Sequence, residues 1–345
     1  MEEKTTVVAV DIAKTVFEIA VSETPGAVTQ RPRLRRAAFL AFFRQIPRAT
    51  VVMEACGSAH YWARELEALG HTVRLLPPHQ VRPYVTRNKT DRTDAKGILE
   101  AFRNQDIHPV PVKTIPQQTL CAIHRFRSGW LAARTAQVNT LRGLLREIGF
   151  IIPEGIRKVL PAVRPLIEDA DAAIPDDLRP TLAVACDHIE LLSRQIKGAD
   201  RQLEALAEHI PQVQRIFGIP GIGLITATAL FAFVGDVHRF PSARHFASYL
   251  GLTPRERSSG NRRNLGGISK RGDRYLRTLL IHGARSVLVH AATAKSHDRL
   301  RSWALKLRNR TKYNKAAVGL ANRLARIVWA VWRHDRTYDS SQQAA

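Results

Sequence analysis

The sequence predicts an α/β amino-terminal domain, a long helical middle segment and a mostly α-helical, strongly basic carboxy-terminal domain. Three observations support this. Short β-branched runs alternate with helical stretches through the first hundred residues; apolar positions then recur at steps of three and four; and positive charge concentrates towards the end. With 345 residues the chain is long enough for two or three domains, and a hydrophobic content of 45% describes ordinary globular cores.

The elements follow in order. Thr6–Asp11 and Phe17–Val21 alternate as strands, joined by Ile12-Ala-Lys14. Ala37 to Ile46 is apolar at helical spacing, Thr50–Glu54 is a further short strand, and a helix is expected from Ser58 to Leu69. Gly70 ends that helix and His71–Leu76 is the next strand. The prolines of His108–Pro116 read as a linker. A helix then runs from Gln117 to about Ile148, with Leu131, Val138, Leu141, Leu145 and Ile148 on one stripe, and prolines 153, 161, 165, 175 and 180 mark an irregular connection. From Leu182 to Ile210 the apolar positions alternate steps of three and four, the seam of a coiled coil. An antiparallel intrachain hairpin that also pairs with a second chain fits this seam, as does a plain amphipathic helix. The expected division is 1–112, 113–212 for the coiled-coil and dimerisation segment, 213–338 for the basic domain, and a tail at 339–345.

Charge narrows the partners. The net formal charge is +23, and Pro241 to Arg336 carries 22 Lys and Arg against 4 Asp and Glu, a net +18. A block of this density reads as a phosphate-binding surface. Trp303, Tyr313, Trp329 and Trp332 lie within it, suited to stacking on bases or, more commonly, to a helical core. No apolar run approaches the roughly 20 residues needed to cross a bilayer, so no membrane partner is expected. Three scattered cysteines, Cys56, Cys121 and Cys186, argue against a zinc site or disulfide framework and fit a reducing cytoplasm.

Four acids stand out in this basic chain. Asp11 and Glu54 end strands, and parallel neighbours would bring those ends together; Asp91 and Asp94 lie three apart on one face of a helix whose buried stripe is Ala95, Ile98, Leu99 and Phe102. Oxygen ligands suit hard divalent cations, and two such ions can clamp the attacking and leaving oxygens of a phosphodiester. Taken singly, Asp91 reads as a helix cap, Asp94 as a first-turn acid and Glu54 as a surface acid. Together, in this order, they resemble the ribonuclease-H-like fold.

Two later segments bear on nucleic acid. Ile216-Phe-Gly-Ile-Pro-Gly221-Ile-Gly223 has the form of a helix-hairpin-helix, whose bare amides bind phosphate, or of a tight turn between core helices. The run Gly251 to Arg274 mixes serines with glycines and with Arg255, Arg257, Arg262, Arg263, Lys270, Arg271 and Arg274. On composition alone it is a flexible basic loop touching DNA backbone; a serine there becomes a nucleophile only if activated.

The blocks Val10-Asp11-Ile-Ala-Lys14, Met53-Glu54-Ala55, Arg87-Asn-Lys-Thr-Asp91-Arg-Thr-Asp94-Ala95, Pro220-Gly-Ile-Gly223, Gly251-Leu-Thr-Pro254, Ser258-Ser-Gly260 and Ser269-Lys-Arg-Gly272 span most of the chain. In this order they resemble the insertion-sequence transposases that join a Holliday-junction-resolvase-like DEDD domain to a serine-bearing transposase domain, among them the bridge-RNA-guided recombinases. The resemblance implies that Asp11, Glu54, Asp91 and Asp94 hold Mg²⁺ or Mn²⁺ and that Ser259 attacks phosphorus to form a phosphoserine. Ser258 stands beside it, and the tyrosine some members carry just upstream is absent. It further implies donor and target DNA, a structured noncoding guide RNA and a homo-oligomer, dimer or tetramer, as partners. A hydrolytic junction resolvase using only the acids, or a non-catalytic architectural protein, would share much of this pattern.

Overall fold

The computed structural model describes residues 6–24, 27–85, 91–291 and 298–339, the side chains of Asp91 and Arg92 excepted. The chain forms two compact units, Met1–Thr114 and Ile115–Ala345. Among the described residues no helix is long and apolar enough to cross a membrane.

The first unit is built on a five-stranded sheet. β1 (Val7–Ile12), β2 (Val16–Ser22) and β3 (Arg33–Arg35) come first, followed by α1 (Phe39–Gln45), β4 (Thr50–Glu54), α2 (Ala59–Ala68), β5 (Thr72–Leu76), α3 (Pro78–Val81) and α4 (Asp91–Phe102). The strand order is β3-β2-β1-β4-β5. β2 runs antiparallel to both β1 and β3, while β1, β4 and β5 are mutually parallel.

Alternation along the strands sorts their side chains into two layers. Val8, Val10, Phe17, Ile19, Val51 and Met53 face Phe39, Phe43, Trp62 and Leu66 of α1 and α2, where Phe17 meets Phe39 edge-on at 4.6 Å. The opposite face sets Ala9, Ala20 and Val52 against Ala95, Ile98 and Leu99 of α4. β3, absent from the sequence reading, is a three-residue edge strand with two arginines, a composition that discourages further pairing. The proline-rich segment expected as a linker is anchored to the sheet edge. The Val110 amide donates to the Leu75 carbonyl at 2.7 Å, and Arg64 donates to the Lys113 carbonyl at 2.7 Å. Proline bars a central strand and permits such an edge contact.

In the second unit α5 (Ile115–Glu147) and α7 (Arg179–Glu208) lie side by side. Arg127 pairs with Asp200 at 2.5 Å and Arg134 donates to Ser193 Oγ at 3.3 Å. Seven residues forward on α5 therefore match seven backward on α7, so the helices are antiparallel. Leu182, Ile189, Leu192, Ile196, Ala199 and Leu203 are buried, as are Val138, Leu141 and Leu145 opposite. The stretch expected to be irregular contains α6 (Val159–Glu168), which covers one end of this pair. Pro161 falls in its first turn, where no N–H is needed. Pro165 lies inside the helix and leaves the Pro161 carbonyl without its usual donor.

The remainder is α8 (Pro211–Phe217), α9 (Leu224–Val234), α10 (Ala243–Tyr249), β6 (Pro254–Glu256), β7 (Leu265–Ile268), α11 (Arg274–Ala291), α12 (Arg299–Arg310) and α13 (Tyr313–Arg333). α9 is apolar almost all round and is enclosed in the main core. Of the aromatics considered for base stacking, Trp332 is buried and Trp329 donates its indole N–H to the Phe240 carbonyl at 3.2 Å; both are core residues. Tyr313 remains exposed.

A buried polar node joins α5, α9 and α11. His124 is fully buried, with Nδ1 3.0 Å from the Tyr275 hydroxyl and Nε2 3.0 Å from Thr228 Oγ1. Thr228 donates its own proton to the Leu224 carbonyl at 2.7 Å. Nε2 therefore carries the histidine proton and Nδ1 accepts from Tyr275. Burial, then the Arg127 charge, lowers the His124 pKa to about 4.

Candidate active site and nucleic-acid surface

Register places the acids of the first unit. Val10 lies opposite Met53 in the parallel pair β1–β4, so the next residues, Asp11 and Glu54, are neighbours at the strand ends. Both alternate onto the face that carries Ala9 and Val52, the face covered by α4. Asp94 lies in the first turn of that helix, and its Oδ1 is sealed from solvent with no hydrogen-bond partner among the described residues. The backbone of Asp91 opens α4; its side chain lies outside the described residues.

One further residue belongs to this face. Glu18 pairs with Asp11 across β1–β2 and so points the same way. Its charge is met by Arg33 at 3.0 Å. Once β1 and β2 are read as a hairpin, this pairing could have been found by counting back through the turn. Cys56, two residues beyond Glu54, has its thiol pKa raised by burial first and then by Glu54 and Asp11.

A carboxylate oxygen buried without a donor is costly unless a cation meets it. The donor set is all oxygen, as Mg²⁺ and Mn²⁺ prefer, so the residues present fit such an ion. Among the described residues, however, no three His, Cys, Asp or Glu side chains converge closely enough to hold one.

In the second unit the serine run forms a β-hairpin. β6 and β7 pair antiparallel, the Arg257 amide donates to the Asn264 carbonyl at 2.9 Å, and Ser259 bridges Arg262 across the tip. Gly260 turns the tip with φ +53°. The two serines differ. Ser258 Oγ donates to Glu256 at 2.8 Å and accepts the Asn264 amide at 3.2 Å, so it staples the hairpin. The Ser259 hydroxyl has no such hydrogen bond among the described residues, and its backbone alone is tied. Arg255, Arg257, Arg262 and Arg263 of the hairpin are exposed, as are Lys270, Arg271 and Arg274 at and beyond its root, although Arg263 also reaches Glu256 at 3.3 Å.

The hairpin's root is held by the motif glycines. The Ser269 amide donates to the Thr253 carbonyl at 2.8 Å and the Lys270 amide to the Gly251 carbonyl at 3.1 Å. A Cβ on Gly272 would lie 2.1 Å from the Tyr249 carbonyl oxygen. Arg277 closes the root by donating to the Leu250 and Gly272 carbonyls at 3.3 and 3.2 Å. The separate sequence blocks Gly251–Pro254 and Ser269–Gly272 are thus one structural feature.

The turn between α8 and α9 divides the roles of its two glycines. Gly221, at φ +86°, packs against the Gly283 carbonyl of α11, 2.9 Å from where its Cβ would stand. Gly223 is the residue before α9 and meets only open space.

Comparison with known proteins agrees with these two regions. Residues 8–150 match the DEDD transposase model of IS110 elements, and residues 213–300 match the model described as the transposase IS116/IS110/IS902 family. The chain is 43% identical over 332 residues to a probable family 20 transposase of Pseudomonas aeruginosa, covering 96% of this chain and 98% of that protein. It is 38% identical to the transposase for insertion sequence element IS1111A of Coxiella burnetii, over 96% of this chain and 91% of the relative. It is 36% identical to the transposase for insertion sequence element IS1328 of Yersinia enterocolitica, over 94% and 96%.

Proposed function

The chain belongs to the IS116/IS110/IS902 family of insertion-sequence transposases, and from that premise we propose that it exchanges DNA strands through a phosphoserine on Ser259. The observation that carries this reading is the hairpin tip: an exposed serine whose hydroxyl makes no hydrogen bond among the described residues, on a hairpin that also carries Arg257, Arg262 and Arg263.

Arginines of the hairpin hold the scissile phosphate by charge-assisted hydrogen bonds and draw electron density from phosphorus. The Ser259 oxygen then bonds to phosphorus and loses its proton, while the bond from phosphorus to a deoxyribose oxygen breaks and that oxygen leaves as a hydroxyl. The phosphodiester is conserved as a serine ester, so a second strand's hydroxyl can replace the serine without ATP. Ser258 stays bound to Glu256 and keeps the tip in shape. In the first unit Asp11, Glu54 and Asp94, with Asp91, would hold Mg²⁺ or Mn²⁺, which when bound would supply positive charge to a phosphodiester oxygen. The strand order β3-β2-β1-β4-β5 with acids at the ends of β1 and β4 supports a ribonuclease-H-like reading of that unit. The dense positive charge supports donor DNA, target DNA and a structured noncoding guide RNA as partners, with base pairing reading the sequence. Homo-oligomerisation, as dimer or tetramer, belongs to the same proposal.

Trapping on labelled DNA tests the nucleophile. Ser259→Ala is expected to abolish the covalent adduct and Ser258→Ala to retain it. An adduct that survives Ser259→Ala, or free 5′-phosphate ends, would overturn the assignment. Sequencing RNA that copurifies with the protein tests guidance, and recovery of no discrete species would count against it.

A further inference from the structure

The strand-end acids of the first unit belong to a longer charged row. Glu18 on β2 is the register partner of Asp11 on β1 and of Arg33 on β3, while Glu54 on β4 follows Met53, the partner of Val10. Arg33, Glu18, Asp11 and Glu54 therefore stand side by side across four strands. Leu34 packs into the layer of α1 and α2, so alternation puts Arg33 and Arg35 on the opposite face, which is the face of the acids.

Two like charges directly opposite on a sheet are unfavourable, and Arg33 offsets the one on Glu18. The pair is made through Arg33 Nε at 3.0 Å, with the Glu18 side chain 14% exposed and that of Arg33 68% exposed. An inner carboxylate thus braces a guanidinium side chain that remains mostly in solvent. Arg35 is exposed and forms no ion pair among the described residues. Two residues apart on a strand, Arg33 and Arg35 spring from points roughly 6–7 Å apart, and Arg33 stands two strand spacings, roughly 10 Å, from Asp11. Guarding an edge against pairing asks only for charge. It does not ask that the charge lie level with the acids or be braced by one of their neighbours.

We propose that Arg33 and Arg35 hold backbone phosphates of the DNA strand whose phosphodiester lies over Asp11 and Glu54, so that the acid-side face of β3 is a rail leading into the acid site. The assignment rests on the reading of those acids as a phosphodiester site. A guanidinium braced at Nε can still turn other N–H groups towards a phosphate. β3 is the outermost strand of the sheet, so a nucleic-acid strand running across its arginines leaves the sheet without meeting another strand of it.

The test is binding of the full chain to a short single-stranded DNA, and to an RNA of the same sequence, across a salt series in EDTA. Melting curves and light scattering confirm that each variant is folded and unaggregated. Arg33→Gln combined with Arg35→Gln should reduce the slope of log affinity for the DNA against log salt by about 0.7 for each arginine lost. Replacing both by lysine, which keeps the charge, should retain most of the slope. Asp11→Asn removes a charge that repels the strand when no metal is present, so it should tighten DNA binding about threefold in the otherwise unaltered chain. The gain should shrink where both arginines are glutamine, because the strand is no longer held over the acid. An unchanged slope in the folded double variant, or a change seen with the RNA alone, overturns the assignment. Equal gains from Asp11→Asn in both backgrounds separate the arginines from the acid site and overturn it as well. No gain from Asp11→Asn in the otherwise unaltered chain overturns instead the phosphodiester reading of the acids beneath it.

Discussion

Asp11 and Glu54 stand at the ends of strands whose preceding residues, Val8 to Val10 and Val51 to Met53, are buried, whereas Ser259 stands in a hairpin exposed from Pro254 to Gly267. The acids are placed by sheet register and cannot shift without moving two core layers. The serine is placed by a turn that it shares with a glycine and a few hydrogen bonds. Under the function proposed above, the acids would serve as metal ligands, which demand fixed geometry, and Ser259 as a nucleophile joined to DNA, which a projecting, separately braced element suits. The first region should therefore couple chemistry to the fold, and the second should let the chemistry be removed while the fold stays.

The largest effect expected is on activity. Asp11→Asn should lower recombination in cells by about a thousandfold or more, as loss of metal-assisted charge stabilisation would. Retention of full activity would favour a non-catalytic architectural role. Mixing Asp11→Asn with Ser259→Ala protomers should restore part of the activity if different chains supply the two halves of a site; no recovery assigns both to one chain.

Stability separates the hairpin from the framework that carries it. A Cβ on Gly283 would stand 1.9 Å from the Gly221 carbonyl oxygen, so Gly283→Ala should cost about 3 kcal/mol by overpacking. Gly260→Ala meets open space and only has to hold φ +53°, a strain of about 1 kcal/mol. Equal losses for both in urea unfolding would erase the distinction between tip and framework.

The third prediction concerns pH and the second unit. Histidine titrates near 6.5 when unfolded and His124 near 4 in the fold, so between these values the unfolded chain holds the extra proton. This stabilisation is complete above about pH 6.5 and fades as pH falls towards 4, by at most about 3 kcal/mol. His124→Gln should flatten the pH dependence of the second unit's unfolding; an unchanged slope would mean that another group controls it.

Much of this was legible from residue order. The β1, β4 and β5 runs, α2 and the α5–α7 seam follow from periodicity, because each buries a regular stripe. β3 escaped because three residues, two of them arginine, leave no pattern to detect. α6 escaped because prolines at positions 161 and 165 read as breakers, although the first lies where a helix tolerates it. Among site residues, Asp11 and Glu54 showed themselves by ending strands. Glu18 required the β1–β2 register to bring it to the same face. The difference between Ser258 and Ser259 is not visible in two identical letters; it appears only when Glu256 and Asn264 fold back on the first of them.

The root of the hairpin has one more consequence. Gly251 and Gly272 bring the chain together before and after residues 254–268, and Arg277 clamps the closure from α11. The rest of the unit therefore sees two joined ends and not the length between them. Because the entropy of closing a loop grows only slowly with its length, hairpins of other lengths and sequences can be exchanged on this base at little cost in stability. The base behaves as a socket, and hairpin tips could be swapped among relatives while the helical framework is inherited unchanged.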